Sequence, residues 1–258
     1  MESFLIFLAV GFVAQLADGA LGMGYGIISS SVLVAFGVPP ATASATVHGA
    51  KLFTTAASAA SHTHHKNVNW RLFVPMMIAG VIGGILGVAL ITSVDGKTLK
   101  PWVLAYFAVM GFWILWRAYK NAALRHIRRH WMAPLGLTGG FLDSVGGGGW
   151  GPTVTTTLLG AGLEPRQAVG TVNTAEFFVS AAVVAAFIYA WMTGHWSEVS
   201  DIRDHAVAVG GLVVGGILAA PLAGWTTKHV PRRPMTFAVG LLIVGLAAWQ
   251  WAQIAGWL

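Results

Sequence analysis

The chain has 258 residues, 56% hydrophobic and 9% charged, with a mean hydropathy of +0.70. A soluble domain carries about 25% charged residues, so this composition excludes a soluble globular protein and marks a polytopic helical membrane protein. The absence of cysteine excludes disulfides, thiolate catalysis and iron–sulfur clusters; the formal charge of +6 lies in short loops between apolar segments, so it orients helices in a bilayer rather than binding nucleic acid.

The first predicted element is a broken one. Residues 3–17 and 26–36 are apolar pieces flanking Asp18-Gly-Ala-Leu-Gly-Met-Gly-Tyr-Gly26, and a run of glycines is a poor way to continue a helix. Ser29, Ser30 and Ser31 follow it. Met1-Glu2-Ser3 has no basic n-region, so the first piece reads as a mature helix rather than a cleaved signal. Three further helices are expected over 41–61, 71–93 and 99–117, punctuated by Pro39-Pro40, His62 to Asn69, and Asp95 to Lys100. After a basic stretch ending at His130 the plan repeats. Residues 131–142 and 152–161 flank Asp143-Ser-Val-Gly-Gly-Gly-Gly-Trp-Gly151, with Thr153, Thr155, Thr156 and Thr157 behind it, and helices are expected over 166–192, 205–225 and 234–256.

An offset of 125 aligns Asp18 with Asp143, Gly22 with Gly147, Gly24 with Gly149, Tyr25 with Trp150 and Gly26 with Gly151. The register continues through Gly37/Gly162, Pro40/Pro165, Thr46/Thr171 and Phe53/Phe178, and Gly83-Gly84-Ile85-Leu86 matches Gly215-Gly216-Ile217-Leu218 at an offset of 132. The chain is therefore read as one membrane domain, 1–258, made of two homologous halves, 1–118 and 131–258, joined by a basic cytoplasmic linker, 119–130.

A span needs about 20 apolar residues, and the pieces beside each break are shorter, which allows each pair to re-enter rather than cross. If each pair starts and ends on one side, eleven Lys and Arg lie inside and three outside; if each pair is one broken span, the split is eight to six. The positive-inside rule favours the first arrangement. Each half then crosses an odd number of times, so the halves are inverted relative to each other. The predicted fold is all-α: two inverted-topology repeats, each a glycine-broken helical hairpin plus three transmembrane helices. That plan points to a secondary transporter with a midplane site.

The second piece of a broken helix presents free N–H groups and the positive end of its dipole, and two such ends meeting make an anion site without a charged side chain. The candidate substrate-binding residues there are Gly22, Gly24, Tyr25, Gly26, Ser29, Gly149, Trp150, Gly151 and Thr153. The plainer alternative is that the glycines only let helices pack closely. No Gly-Lys-Ser/Thr follows either run, so neither is a phosphate-binding loop.

The helix after each break carries a polar stripe: Ser44, His48, Lys51 and Thr55 in one half, Val169, Asn173, Glu176 and Ser180 in the other. Lys51 and Glu176 are repeat mates of opposite charge inside the membrane, where an unpaired charge costs several kcal/mol. Two roles are open: Lys51 with His48 and Asn173 binds an anion while Glu176 carries a proton, or Lys51 and Glu176 form a structural ion pair. Asp18 and Asp143 are further proton-coupling candidates, or local caps of the loop backbone. His62, His64 and His65 lack a nearby carboxylate or cysteine, so no metal site and no cofactor is expected. Arg125 to His130 suits anionic headgroups, and Gly80/Gly84, Gly83/Gly87 and Gly211/Gly215 suit helix packing.

These features resemble the TauE/SafE sulfite exporter family. The resemblance rests on the two glycine motifs (Gly22, Gly24, Gly26; Gly147, Gly148, Gly149, Gly151), on the turns before Pro40 and Pro165, on Thr46 and Gly170-Thr171, and on Asn67-Val-Asn-Trp70 before a glycine-rich helix. The first motif departs from a triple glycine, with Met23 and Tyr25 interposed. The resemblance implies a transporter of sulfur-containing anions such as sulfite, thiosulfate or sulfoacetate; the residues themselves imply a small anion. The expected function is proton-coupled export across a bacterial inner membrane, with an anion channel or a permease for another small organic anion as the alternative. An intramembrane enzyme is disfavoured, since there is no His-Glu-x-x-His, no Gly-x-Ser-x-Gly and no cysteine nucleophile. The expected partners are the small anion and the lipid bilayer, and a homodimer is open because buried and interface faces read alike.

Overall fold

The computed structural model describes residues 2–120, 129–196, 202–229 and 232–257. Among these residues the chain is helical with no strand. The first half comprises α1 (Glu2–Leu21), α2 (Tyr25–Ala35), α3 (Pro40–His64), α4 (Trp70–Ser93) and α5 (Gly96–Lys120). The second comprises α6 (Met132–Gly146), a π-turn (Gly151–Thr155) running into α7 (Thr156–Gly160), then α8 (Pro165–Met192), α9 (Ile202–His229) and α10 (Arg232–Ile254). Linker residues 121–128, and Glu198 and Asp201 between α8 and α9, lie outside the described residues.

The expected elements form, with local differences. Pro40 and Pro165 open α3 and α8, where a proline loses no helical hydrogen bond. The preceding turns are the same in both halves: Gly37 N–H donates to Val34 O and Val38 N–H to Leu33 O, as Gly162 N–H does to Leu159 O and Leu163 N–H to Leu158 O. The glycine breaks are shorter than their sequences suggest. Asp18 and Asp143 lie within α1 and α6, which run on to Leu21 and Gly146. The second piece of the second half starts as a π-turn rather than an α-helix.

Four helices among the described residues are long and apolar enough to cross a membrane: Trp70–Ser93, Gly96–Tyr119, Pro165–Met192 and Arg233–Ile254. Their polarity is inside-out. On α4, Gly80, Gly83, Gly84 and Gly87 are buried while Ile78, Ile82, Ile85 and Leu86 are exposed. A soluble helix does the reverse; in lipid, small residues bring helices together and large aliphatics face the acyl chains. A Cβ on Gly83 would lie 2.1 Å from Leu137 O of α6, and one on Gly215 would lie 2.0 Å from Leu8 O of α1. Residues outside the helix contacts are apolar too: Trp102, Val109, Phe112 and Leu241 are exposed. The fold is that of a multi-pass membrane protein.

The two halves interlock. α1 lies along α9, and its repeat counterpart α6 lies along α4; α3 packs on its counterpart α8 and α5 on its counterpart α10; α4 against α8 is matched by α9 against α3. The polar helix α3 is thus held centrally, and it carries the buried Thr42, Ser44, Thr46, His48, Lys51 and Thr55.

Candidate functional site

The site is built where the two glycine breaks cross. Gly22 and Gly147 end their helices at φ +70° and +71°, a left-handed conformation that glycine adopts without strain. The chain then turns into the second piece, and the aspartate four residues before the turning glycine caps it. Tyr25 N–H donates to Asp18 Oδ1 at 3.3 Å, and Trp150 N–H donates to Asp143 Oδ1 at 3.0 Å. Both carboxylates therefore serve as local caps, one of the two roles open in the sequence.

The breaks meet backbone to backbone. A Cβ on Gly26 would sit 2.5 Å from Gly147 O, and one on Gly148 would sit 1.9 Å from Ile27 N. The repeat-related contact is looser: a Cβ on Gly151 would lie 2.9 Å from Met23 Cα and 3.6 Å from Gly22 O. Glycine is required here by the approach of one break to the other.

Four ionisable side chains gather beside this crossing, about midway along α3 and α8. Lys51 Nζ donates to Asp143 Oδ2 at 2.8 Å and Oδ1 at 3.0 Å, and pairs with Glu176 Oε1 at 2.6 Å. His48 Nε2 lies 3.1 Å from Asp143 Oδ2 and its Nδ1 lies 2.9 Å from Ser44 O. Ser44 Oγ donates to Ser144 O at 2.5 Å, tying α3 to α6. His48 and Asp143 are fully buried and Lys51 is 3% exposed, whereas the Glu176 side chain is 14% exposed. Glu176 is the least buried member of the cluster. The Lys51–Glu176 ion pair left open in the sequence is present, and Asp143 completes it. One cation between two carboxylates meets the demand that a charge in a low-dielectric interior be partnered.

The arrangement is asymmetric. His48 and Lys51 flank Asp143, while their repeat mates are Asn173 and Glu176. Asn173 does not turn to Asp18; its Nδ2 donates to Ser58 Oγ at 3.0 Å, joining α8 to α3. Among the described residues no ion pair reaches Asp18.

Other candidates lie around the crossing with their polar atoms already engaged. Tyr25 OH donates to Leu212 O of α9 at 3.0 Å, and Trp150 Nε1 donates to Val172 O of α8 at 3.2 Å. Trp150 is 0% exposed, its ring against Gly80 and Gly139. Thr153 Oγ1 donates to Gly149 O at 2.5 Å. Gly22, Gly24, Gly26, Gly149 and Gly151 lie at the breaks, and the Ser29 hydroxyl is buried with no partner among the described residues. The histidine cluster stays local: His62 meets Asn67 and His65 meets Ser61 O.

Two features were not anticipated. One is the pairing of Asp143 with Lys51 and His48, which depends on how the halves dock. The other is Tyr106 of α5, whose ring lies over Gly146 and whose hydroxyl would be 2.6 Å from a Cβ on Gly149. One of only four tyrosines, in a long apolar helix, Tyr106 carried a signal in its type alone.

Two broken helices crossing beside a buried charge cluster, inside a bundle with an apolar exterior, fit a membrane transporter. The chain belongs to the sulfite exporter TauE/SafE family, whose model matches residues 7–250, in agreement with the resemblance of its glycine motifs. It is 39% identical over 253 residues to "Probable membrane transporter protein YtnM" of Bacillus subtilis (strain 168), an alignment covering 95% of this chain and 81% of that protein. No solved structure matches the chain.

Proposed function

We propose that the protein is a secondary transporter of small sulfur-containing anions, such as sulfite, thiosulfate or an organosulfonate like sulfoacetate, coupled to protons and working as an exporter in a bacterial inner membrane. The observation that carries this reading is Lys51 held between Asp143 and the partly exposed Glu176. An entering anion competes with Glu176 for the ammonium. Protonating Glu176 removes that competitor, and the anion takes its place on Lys51 while Asp143 stays buried behind it. A proton and an anion are then loaded together, and outward flux is favoured when the cytoplasmic side is the more acidic.

His48 ties the cluster together: its ring nitrogens face Ser44 O and Asp143 Oδ2, and the adjacent Ser44 hydroxyl donates to Ser144 O. The inverted-repeat architecture is supported by the interlocking pairs, which map onto themselves when the halves are exchanged, and by the bias of positive charge. Such repeats alternate access by rocking around a fixed midplane site.

The test is flux in proteoliposomes against sulfite, thiosulfate, sulfate, sulfoacetate, taurine and acetate, with and without a pH gradient. Saturable, gradient-dependent flux of a sulfur anion is expected. No flux of any sulfur anion would remove the substrate class, and non-saturating current without a gradient would favour an anion channel.

A further inference from the structure

We propose that Tyr106 and Thr155 are the substrate's oxygen-binding hydroxyls, one at each glycine break, and that the site accordingly takes an oxyanion with at least two acceptor oxygens. The proposal rests on the transporter reading above and names which neutral groups recognise the cargo.

Buried polar atoms are almost always hydrogen-bonded, and each exception calls for an explanation. Around the crossing most donors are occupied: Tyr25 on Leu212 O, Trp150 on Val172 O, Thr153 on Gly149 O. Along the second piece of the second half the threonines bond back to the carbonyl four residues earlier, Thr156 to Pro152 O and Thr157 to Thr153 O. Thr155 breaks this pattern. It is 1% exposed, and its Oγ1 has no partner among the described residues. It ends the π-turn, in which Thr156 N–H, not an α-helical donor, closes onto Gly151 O; π-turns recur at functional sites. The Thr155 methyl lies 3.4 Å from a Cβ placed on Gly22, so this residue sits against the first break.

Tyr106 stands in the same state at the second break. Its hydroxyl oxygen is buried with no partner among the described residues. Its ring occupies the space that side chains at Gly146 and Gly149 would fill. The two breaks touch through Gly26 and Gly147, so the two residues belong to one crossing, one from each half. A hydroxyl donates one hydrogen bond and stays neutral. Two of them at the crossing of the breaks would select for oxygen atoms while Lys51 supplies charge. An unpaired buried hydroxyl is destabilising, and an oxyanion bound to it would supply the missing acceptor.

This predicts a split that a structural role would not produce. Tyr106→Phe and Thr155→Val delete the hydroxyls at nearly constant shape. In wild-type and variant protein reconstituted in liposomes, KM for the transported sulfur oxyanion is expected to rise about 3- to 10-fold for each variant, the effect of one neutral hydrogen bond. In detergent without substrate, Tm is expected to stay level or rise, because an unpaired buried hydroxyl has been removed. An unchanged KM, or a fall in Tm in either variant, overturns the proposal, since the hydroxyl is then bonded within the protein. If wild-type protein carries a different small oxyanion, the sulfur assignment fails, while the same KM and Tm comparison with that oxyanion still decides the role of the hydroxyls.

Discussion

At the scale of single residues, the two capping aspartates do the same backbone work in different company. Asp143 also holds Lys51 and His48, and Asp18 has no ion pair among the described residues. Asp143→Ala leaves Lys51 and His48 without their shared carboxylate, and removing one partner of a buried pair costs about 3–5 kcal/mol. Asp18→Ala loses only a cap, about 1 kcal/mol. Thermal unfolding of the two variants in detergent should therefore separate clearly, and equal losses would contradict the asymmetry of the site. The residue types were legible in the sequence: a lysine and a glutamate in apolar helices declare themselves by their cost, and Lys51 does meet Glu176. The Asp143–Lys51 pair was hidden, because it joins residues far apart in sequence through the docking of α6 on α3. The engagement of Tyr25 and Trp150 was hidden for a related reason. Sequence shows that an aromatic stands at a helix start, and only packing shows which carbonyl its donor reaches.

At the scale of elements, glycine has three distinct uses that one composition count cannot separate. Gly148 lets one break cross the other, with a would-be Cβ 1.9 Å from Ile27 N. Gly83 lets α4 approach α6. Gly245 of α10 faces nothing within 4 Å. Gly148→Ala is expected to abolish folded protein on size-exclusion chromatography or to leave it inactive. Gly245→Ala should leave Tm unchanged or raise it, since alanine is the better helix residue. A tolerated Gly148→Ala would mean the breaks do not cross as described. Helix boundaries were read closely from proline, glycine and apolar length. Two features escaped: α1 and α6 run through their aspartates, since one glycine within a helix does not end it, and the π-turn at Gly151–Thr155 has no pattern of its own.

At the scale of the whole molecule, the sequence shows a register of 125 residues, and such a register does not say which helix packs on which. The proposed sidedness is testable with unusual ease, as the chain has no cysteine. Single cysteines at Lys66, Arg129 and Lys228 are expected to react with an impermeant thiol reagent only from the cytoplasmic side, and one at Lys97 only from outside. Labelling of Lys228→Cys from outside would replace the inverted halves with two broken spans.

The coupling claim concentrates on Glu176, whose carboxylate is expected to give way to the anion on Lys51. The measurement is simultaneous anion and proton flux, by isotope and by a pH-sensitive dye, in proteoliposomes of wild-type protein and Glu176→Gln. Wild-type flux of a sulfur anion should move protons with it and respond to a pH gradient. In Glu176→Gln, which keeps Lys51 paired to Asp143, anion flux should persist with the proton movement and the gradient response lost. Proton-coupled flux that survives unchanged in Glu176→Gln would contradict the assignment of the proton to that carboxylate.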